Sequence, residues 1–399
     1  MELLSTEKKN QVLASMMSLM DKNREDIIQA NQHDLEAFDR DDQALYDRLV
    51  VNGEKVDDMI RSVREVMEQE DPVGQIINQR ELENGLKVVN KTAPFGTIMI
   101  IYESRPDVTI EAAVLAFKAN NRILLKGGKE AKHSNRVLVD CWHQALAEND
   151  LSKDWIQFME MNREETQNFL REPNQQLDLI VPRGGERLID FVKQHARCAV
   201  LVSGRGNNFA YVAEDAELKQ AIEVIVNAKT HKISACNALD KILINRHRKD
   251  FKEAAQAITA ELRAHQVEIY ASEELSGDLA EAQKLTDEHT WYEEFLALKA
   301  VIAAVDSDEE AIEKINRYSG KHSSTIFTSS EARAAKFMEQ VDSAAVYHNA
   351  STRFTDGGAM GVGAELAIST DKLHHRGPLG LKQLVTNKYY VYGSGQVRV

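Results

Sequence analysis

The chain has 399 residues, of which 43% are hydrophobic and 28% charged, and it carries a formal net charge of −14. The length allows two or three domains, and the composition is ordinary for a globular protein. The acidic charge argues against a nucleic-acid partner, and the lack of an apolar run of about 18 residues argues against a membrane span.

Cysteine usage and the N-terminal sequence indicate the compartment. Three cysteines are too few for a disulfide framework in a chain of this length, and the first residues lack the basic-then-apolar layout of a signal peptide. We therefore expect a cytoplasmic protein. No Cys-x2-Cys or His-Glu-x-x-His motif occurs, so no metal site is expected, and we interpret the adjacent His374-His375 pair as a loop feature.

The N-terminal region up to Glu68 is predicted to be helical. Its apolar residues recur at the three-to-four spacing of an amphipathic helix: Leu3, Val12, Leu13, Met16, Met17 and Met20. Helical character continues from Arg40 to Glu68, and Pro72 and Gly74 then break it.

A β-hairpin is predicted next, around Asn84-Gly85. Both central positions of a tight hairpin turn favour positive φ, which Asn and Gly adopt readily. An isolated hairpin is only marginally stable in water, so we expect this one to pack on another element, such as one from a neighbouring subunit.

From Pro94 onward the pattern alternates between strand and helix. Strand-like runs cover 96–102, 122–126, 155–159, 177–181 and 198–202, and helical runs cover 108–119, 134–147, 164–170 and 186–195. This alternation predicts βαβ units and a parallel sheet, whose ligands bind outside the carboxyl ends of the strands.

Paired glycines follow two of these strands and lead into helices. The two motifs are Lys126-Gly-Gly-Lys129 and Pro182-Arg-Gly-Gly185. Glycine lets the backbone approach a phosphate, and helix N-termini favour anions. Neither motif matches Gly-x-Gly-x-x-Gly, and a tight turn is the alternative for each. Two such motifs with basic residues beside both favour a dinucleotide site.

The region from 222 to 372 repeats the α/β pattern. Helices are predicted over 250–264, 309–317 and 331–341, and strands over 267–270, 300–305, 324–328 and 344–348. A polar loop over 349–358 follows, in which Ser, Thr and Arg together could hold an anionic substrate, with a surface turn as the alternative. The segments 389–392 and 396–399 are predicted to be extended and able to pair with another chain.

Cys236 lies on a short polar segment between an apolar helical run and a strand-like run. Lys229, His231 and Lys232 precede it, and positive charge favours the reactive thiolate. A buried cysteine that acts as a small hydrophobic residue is the alternative, because free cysteines are commonly buried.

Taken together, five segments resemble those of the glutamate-5-semialdehyde dehydrogenase (γ-glutamyl phosphate reductase) family, within the aldehyde dehydrogenase superfamily. They are Ile101-Tyr-Glu-Ser-Arg-Pro106, Lys126-Gly-Gly-Lys129-Glu, Pro182-Arg-Gly-Gly185, Asn227-Ala-Lys-Thr230 with Cys236-Asn-Ala, and Asn349-Ala-Ser-Thr-Arg-Phe-Thr-Asp-Gly357. The resemblance runs in order over essentially the whole chain. It implies an α/β fold with a Rossmann-like cofactor domain (1–76 and 94–221), an α/β catalytic thiol domain (222–375) and a small β flap for oligomerisation (77–93 and 376–399).

The reaction implied by this resemblance is the second step of proline synthesis from glutamate, in which NADPH reduces L-glutamyl 5-phosphate to L-glutamate 5-semialdehyde and phosphate is released. Cys236 matches the nucleophile that would form a thioester. Ser104 stands where many superfamily members carry an asparagine that donates to the oxyanion, and the backbone N–H of Cys236 is a further candidate donor. Arg105 could instead bind the departing phosphate.

The resemblance also implies contacts with cofactor and substrate. Lys126 matches the lysine that holds the adenosine ribose, and Lys129 replaces an acid of NAD-dependent relatives and so suits the 2′-phosphate of NADP. A solvated lysine at a helix start is the alternative for Lys129. Glu294, or its neighbour Glu293, resembles the glutamate that holds the nicotinamide ribose. Gly184 and Gly185 are expected beside the cofactor, and Ser351, Thr352 and Arg353 beside the α-carboxylate or amino end of the glutamyl group.

Two departures from related sequences bear on function. The stretch 200–206 has no carboxylate where hydrolytic aldehyde dehydrogenases carry a water-activating glutamate, which favours the reductase. Asn207-Asn208-Phe209 stands where the family is expected to have Cys-His. The alternatives are another semialdehyde or acyl-CoA-linked dehydrogenase of the superfamily and a catalytically silent scaffold. We expect a homo-oligomer, and association with a glutamate 5-kinase is a further possible interaction.

Overall fold

Helices fill the N-terminal region, and alternating strands and helices fill the rest of the chain, as the sequence pattern predicts. The computed structural model describes residues 2–38, 43–279 and 281–398. The chain forms two compact units: unit 1 comprises Met1–Val202, Gly361–Ala367 and Leu379–Val399, and unit 2 comprises Ser203–Met360 and Ile368–Pro378. Arg40, where the second helical stretch is predicted to start, lies outside the described residues.

The α-helices are numbered in chain order as α1 (Thr6–Lys22), α2 (Arg24–Ala37), α3 (Gln43–Leu49), α4 (Gly53–Glu68), α5 (Pro106–Lys118), α6 (Lys132–Glu148), α7 (Arg163–Arg171), α8 (Glu186–His195), α9 (Leu218–Thr230), α10 (Phe251–Ala264), α11 (His289–Tyr292), α12 (Asp308–Tyr318) and α13 (Glu331–Gln340). In the part of the chain described, no helix is both long and apolar enough to cross a membrane.

The strands are β1 (Ile76–Glu81), β2 (Lys87–Pro94), β3 (Thr97–Tyr102), β4 (Arg122–Lys126), β5 (Ile156–Phe158), β6 (Leu179–Arg183), β7 (Ala199–Val200), β8 (Asn208–Val212), β9 (Leu239–Asn245), β10 (Glu268–Ala271), β11 (Gln283–Lys284), β12 (Lys299–Val305), β13 (Ser323–Phe327), β14 (Ala345–His348), β15 (Glu365–Ser369), β16 (Gly377–Gly380) and β17 (Val385–Tyr392).

Helix α1 shows how the apolar spacing becomes packing. The Ser5 hydroxyl accepts the backbone N–H of Lys8 and so caps the helix. Val12, Leu13 and Met16 are fully buried in the core of unit 1. Leu3 precedes the cap and is exposed, so its place in the predicted helical face is wrong, because the helix begins only after Ser5.

Unit 1 is built on a five-stranded parallel sheet in the order β5-β4-β3-β6-β7. All six residues of β3 are buried, as expected for a central strand covered on both faces. Ile101 pairs with Lys126 and Tyr102 with Arg183. The carboxyl ends of β3, β4 and β6 therefore lie side by side, and the two glycine motifs follow two of these strands.

The predicted hairpin is present and belongs to a small antiparallel sheet in the order β1-β2-β17. Gly85 has φ 81°, which explains the glycine at this turn, but Asn84 does not have a positive φ, so the expectation of positive φ at both central positions is wrong at Asn84. The extended segment 389–392 is part of β17 and pairs within the chain, along β2. The segment 396–398 forms no strand, although the Gln396 side chain donates to the carbonyl of Asn84 at 3.0 Å, and Val399 lies outside the described residues.

Unit 2 is built on a seven-stranded parallel sheet in the order β11-β10-β12-β9-β8-β13-β14. Strand β8 is not evident from the sequence, because it is short and begins at the second of two consecutive asparagines, Asn207 and Asn208. It lies before residue 221, where the cofactor domain is predicted to end, whereas the structure starts unit 2 at Ser203. The assignment of functional domains to these ranges stays a prediction.

The loop after β14 folds back along the sheet of unit 2. The Thr325 hydroxyl donates to the carbonyl of Ala350 at 2.8 Å. Further along, the Thr355 hydroxyl is hydrogen-bonded to those of Ser323 at 2.6 Å and Tyr347 at 2.8 Å. Because Ser323 begins β13, the loop returns to the amino edge of the sheet, where β8 and β9 also begin.

Candidate active site

In the two glycine motifs of unit 1, Gly127 and Gly184 occupy positions that leave little space for a side chain. A Cβ on Gly127 would lie 2.3 Å from Asn135 Nδ2, and one on Gly184 would lie 2.4 Å from a carboxylate oxygen of Glu103. Gly185 faces open space and caps α8, and its N–H donates to Glu103 Oε2 at 3.2 Å. The start of α8 thus already accepts a negatively charged group, as expected for a helix N-terminus.

The two lysines of the first glycine motif differ in environment. Lys126 is half-buried, its Nζ donates to the carbonyl of Gly127 at 2.9 Å, and burial lowers the pKa of its ammonium group. Lys129 is exposed at the start of the next helical turn. The exposed side chain of Lys129 is accessible to a ligand, as the predicted 2′-phosphate contact requires.

Ser104 is buried and lies in a sparsely populated backbone conformation, with φ 41°. Its N–H and hydroxyl both donate to Glu130 Oε1, at 2.6 and 2.9 Å. Positive φ at a residue other than glycine is costly and tends to mark functional segments. The hydroxyl donates to Glu130, so Ser104 can act as the predicted oxyanion donor only if its hydroxyl leaves this carboxylate.

Arg105 pairs with Asp107, with its Nε 3.3 Å and its Nη2 3.0 Å from the carboxylate oxygens. Lys55 lies 2.7 Å from the same carboxylate. Burial acts to raise the pKa of Asp107, but the two cations outweigh it and hold the pKa below its ordinary value. The predicted phosphate contact of Arg105 therefore involves a guanidinium that is already held by a carboxylate.

In unit 2, Cys236 lies between α9 and β9 and is half-buried, so its thiol is not enclosed in the core. A Cβ on Gly206 would lie only 1.8 Å from the carbonyl oxygen of Cys236. The backbone of Gly206 therefore packs directly against the peptide of Cys236, and no other residue type fits at position 206 without moving that peptide.

Asn237 joins the cysteine segment to the polar loop. Its Nδ2 donates to the carbonyls of Arg353 at 3.1 Å and Thr355 at 2.9 Å, and its own carbonyl accepts the Thr352 hydroxyl at 2.8 Å. The sequence did not identify Asn237 as a site residue, since an asparagine in a polar stretch carries no distinguishing signal. Its contacts place Cys236 and the predicted substrate loop side by side.

The three predicted substrate residues have different surroundings. The Ser351 and Thr352 side chains are buried, and the Ser351 hydroxyl donates to the side chain of Asn227 at 3.0 Å. Arg353 is half-buried, and its Nε donates to His231 Nδ1 at 3.4 Å. Burial lowers the pKa of Arg353, whereas interaction with Cys236 acts to raise it.

Glu294 lies on a segment that buried charges hold in place. Lys229 Nζ pairs with Asp240 Oδ1 at 2.8 Å, and Asp240 Oδ2 accepts the N–H of Phe295 at 3.1 Å. Lys241 Nζ donates to the carbonyl of Glu293 at 2.8 Å and lies 3.9 Å from the ring centre of Phe295. Sequence reasoning missed this network because Asp240 and Lys241 open a strand-like run.

The predicted site residues fall into two sets. Unit 1 places Ser104, Arg105, Lys126, Lys129, Gly184 and Gly185 at the carboxyl edge of its sheet, and unit 2 places Cys236, Glu294, Ser351, Thr352 and Arg353 around the amino edge of its own. No group of three or more histidine, cysteine, aspartate or glutamate side chains suited to a metal occurs among residues 2–38, 43–279 and 281–398.

Comparison with known proteins gives one consistent result. Residues 1–294 and 282–364 match the aldehyde dehydrogenase family. The chain is 39% identical to a γ-glutamyl phosphate reductase of Dictyoglomus thermophilum over 400 residues, which covers 100% of this chain and 96% of that protein. It is 41% identical to the Thermotoga maritima protein of the same name, with 99% and 95% coverage.

Solved structures agree with the sequence relatives. The crystal structure of γ-glutamyl phosphate reductase from Thermotoga maritima superposes with a TM-score of 0.94 at 40% identity, and covers 99% of this chain and 95% of that one. An acetylating aldehyde dehydrogenase from Geobacillus thermoglucosidasius gives a TM-score of 0.70 at 18% identity, over 99% and 94% of the two chains, which shows a shared fold.

Proposed function

The chain belongs to the aldehyde dehydrogenase family and is an oxidoreductase, and we propose that it catalyses the NADPH-dependent reduction of L-glutamyl 5-phosphate to L-glutamate 5-semialdehyde with release of phosphate. This is the second step of proline synthesis from glutamate. The identity of about 40% to γ-glutamyl phosphate reductases over the full length supports this substrate. The observation that carries the proposal is the position of Cys236 beside the loop that presents Arg353.

Cys236 is the proposed nucleophile. Its thiolate attacks the acyl carbon of the substrate, the carbon–oxygen bond to phosphate breaks, and a thioester remains on the enzyme, which divides one difficult step into two. A nicotinamide cofactor, when bound, supplies the hydride that reduces this thioester. Collapse of the resulting adduct releases the aldehyde and returns the thiolate of Cys236. Each tetrahedral oxyanion needs a hydrogen-bond donor, and we propose the backbone N–H of Cys236 and, once released from Glu130, the Ser104 hydroxyl.

Arg353 is the proposed anchor of the substrate. A guanidinium pairs well with a carboxylate, and the α-carboxylate of the glutamyl group is the charge on this substrate that is not consumed in the reaction. The buried hydroxyls of Ser351 and Thr352 donate within the protein, and we assign them the task of holding the loop that carries Arg353. Arg105 stays the proposed contact of the departing phosphate.

The residues of unit 1 fit a nicotinamide dinucleotide. The start of α8 already holds the Glu103 carboxylate, so it can accept a phosphate, and the open space at Gly185 leaves room for one. Gly184 lets the backbone approach closely. Lys126 would hold the adenosine ribose and exposed Lys129 the 2′-phosphate of NADP. Glu294, a residue of unit 2, stays the proposed contact of the nicotinamide ribose.

We also propose that the protein is a cytoplasmic homo-oligomer. Ile76, Tyr389 and Val391 expose more than half of their side-chain surface on the sheet of β1, β2 and β17, and burial of such residues favours association. Transfer of a labile acyl phosphate from a glutamate 5-kinase would benefit from association of the two enzymes.

The decisive experiment measures reduction of NADP⁺ with glutamate semialdehyde and inorganic phosphate for wild type, Cys236→Ser and Cys198→Ser. Cys198 is also half-buried and provides the matched control. We expect phosphate-dependent activity that disappears in Cys236→Ser and persists in Cys198→Ser. Activity that ignores phosphate would indicate a hydrolytic enzyme, and activity that needs coenzyme A would indicate an acyl-CoA-linked one. The absence of any activity would support the silent scaffold.

A further inference from the structure

Asn208 takes no part in the chemistry proposed above, yet its side chain contacts the main chain of the nucleophile. Its Nδ2 lies 2.8 Å from the carbonyl oxygen of Cys236, 2.6 Å from that of Ala238 and 2.8 Å from that of Gly206. The side chain is fully buried. An amide nitrogen has two hydrogens, so the three carbonyls share two donors.

The same amide is fixed to the sheet on its other side. Asn208 Oδ1 accepts the backbone N–H of Ser323 at 3.0 Å, and Ser323 is the first residue of β13. Asn208 itself begins β8, the neighbour of β13. The amide is therefore immobilised by two adjacent strands, and its hydrogen bonds fix the cysteine segment relative to them.

Gly206 completes the support beneath Cys236. The backbone of Gly206 contacts the Cys236 peptide, so that peptide would clash with Gly206 if it moved toward it. Asn208 opposes movement in the other direction by binding the carbonyls of Cys236 and Ala238. These two carbonyls flank Asn237, whose side chain holds the Arg353 loop. One buried amide thus fixes the main chain between the nucleophile and the substrate anchor.

We propose that Asn208 is a positioning residue for Cys236. The inference rests on the proposed role of Cys236 as nucleophile. Attack on an acyl carbon depends on the approach of the sulfur, and a displacement of about 1 Å can lower a rate by about a hundredfold. Loss of the amide frees the carbonyls of Gly206, Cys236 and Ala238 and lets the peptide that carries the thiol rotate. The Arg353 loop keeps its own bonds to β13 and β14 through Ala350 and Thr355, so the effect appears in turnover rather than in substrate binding.

The test compares Asn208→Ala with Asn208→Ser and with Asn245→Ala. Asn245→Ala is the matched control. Asn245 is also a buried asparagine with hydrogen bonds, to the Tyr211 hydroxyl and the N–H of His247, but it lies at the end of β9 that is far from Cys236. Serine at 208 keeps one donor and protects against the chance that alanine does not fold. Two quantities are measured: kcat at saturating substrate and cofactor, and hydrogen exchange of the Ala238 N–H, which donates to the carbonyl of Ala235.

We expect kcat to fall at least about tenfold in Asn208→Ala and less in Asn208→Ser, with KM values within about twofold. Exchange at Ala238 should accelerate by a similar factor in Asn208→Ala and stay unchanged in Asn245→Ala. Equal losses of kcat in the two alanine variants, or unchanged exchange at Ala238, would overturn the proposal. If wild type lacks phosphate-dependent activity while the exchange difference appears, the proposed function fails, whereas the result still shows that Asn208 holds the main chain of Cys236.

Discussion

Replacing Asp240 with asparagine should destabilise unit 2 and loosen the segment that carries Glu294. Lys229 and Asp240 have side chains only 1% and 3% exposed, and their charged atoms lie 2.8 Å apart. At an effective dielectric constant of about 20 this separation corresponds to a gross attraction of about 6 kcal/mol. Desolvation offsets much of that attraction, but removal of one partner leaves a buried charge unpaired. We therefore expect Asp240→Asn to lower the free energy of unfolding by about 3–5 kcal/mol.

The pH dependence of this loss distinguishes a charge effect from a packing effect. Burial lowers the pKa of Lys229 and Asp240 partly restores it, so in the variant the pKa should fall further. A lysine whose pKa is lower in the folded than in the unfolded state destabilises the fold most below its folded pKa, and the penalty diminishes as the pH rises toward the unfolded value of about 10.4. The difference in stability between wild type and Asp240→Asn should therefore narrow between pH 7 and pH 9.5.

Urea unfolding at the two pH values measures the loss, and hydrogen exchange across 293–298 and β9 locates it. The double variant Lys229→Met with Asp240→Leu removes both charges and keeps the volume, so it should cost less than half as much as Asp240→Asn. A loss below about 1 kcal/mol in the single variant, or a double variant as unstable as the single one, would refute the reasoning. Because the network holds Glu293 and Phe295, the KM for the cofactor should rise in Asp240→Asn.

Three further predictions concern single side chains. Burial lowers the pKa of Lys241 to about 8, so the protonated form is disfavoured in the folded protein. Between pH 7 and pH 9 the free energy of unfolding of the wild type should therefore rise by about 1 kcal/mol relative to that of Lys241→Gln, as measured by urea unfolding. Arg353→Met should raise the KM for glutamate semialdehyde at least about tenfold in steady-state assays, and a KM within about twofold would remove Arg353 from the substrate site. Lys129→Asp should lower the ratio of kcat/KM for NADP⁺ to that for NAD⁺ by at least about tenfold, whereas exposed Lys153→Asp should leave the ratio unchanged.

Local signals were sufficient to predict most of the fold. The Asn84-Gly85 turn, the strand 97–102 and the helix over 106–118 each have a pattern that arises within a few residues, and the structure confirms all three within one to two residues at each end. The prediction that Leu3 lies on the buried helical face is wrong, because the cap residue Ser5 determines where the helix begins. The sequence did not predict strand β8, because the burial of this strand depends on neighbours far away in the sequence and the Asn207-Asn208 pair at its start is typical of a loop.

The candidate site was less predictable, because its supporting residues act through tertiary contacts. Cys236 and Arg353 have side chains with recognisable chemistry, and the sequence singled out both. Asn237 and Asp240 are defined as site residues only by what they touch, and no local pattern separates them from solvated polar residues. The sequence suggested no role for Asn208, because its side chain binds three backbone carbonyls. Every residue has such a carbonyl, so no residue type in the sequence marks the partners.

The two units follow different rules for where a site forms on a parallel sheet. Unit 1 follows the expected one, since its glycine motifs lie at the carboxyl ends of β4 and β6. In unit 2 Cys236, the proposed nucleophile, precedes β9 and so lies at the amino edge, and the loop after β14 reaches this edge by folding back to Thr355. The rule that ligands bind at the carboxyl ends of the strands would place this loop at the carboxyl edge of the sheet, which is opposite to the edge that it reaches. The side chain of Asn237 joins this loop to the segment of Cys236, and that of Asn208 holds the segment itself, so side-chain hydrogen bonds rather than strand order bring Cys236 and Arg353 together.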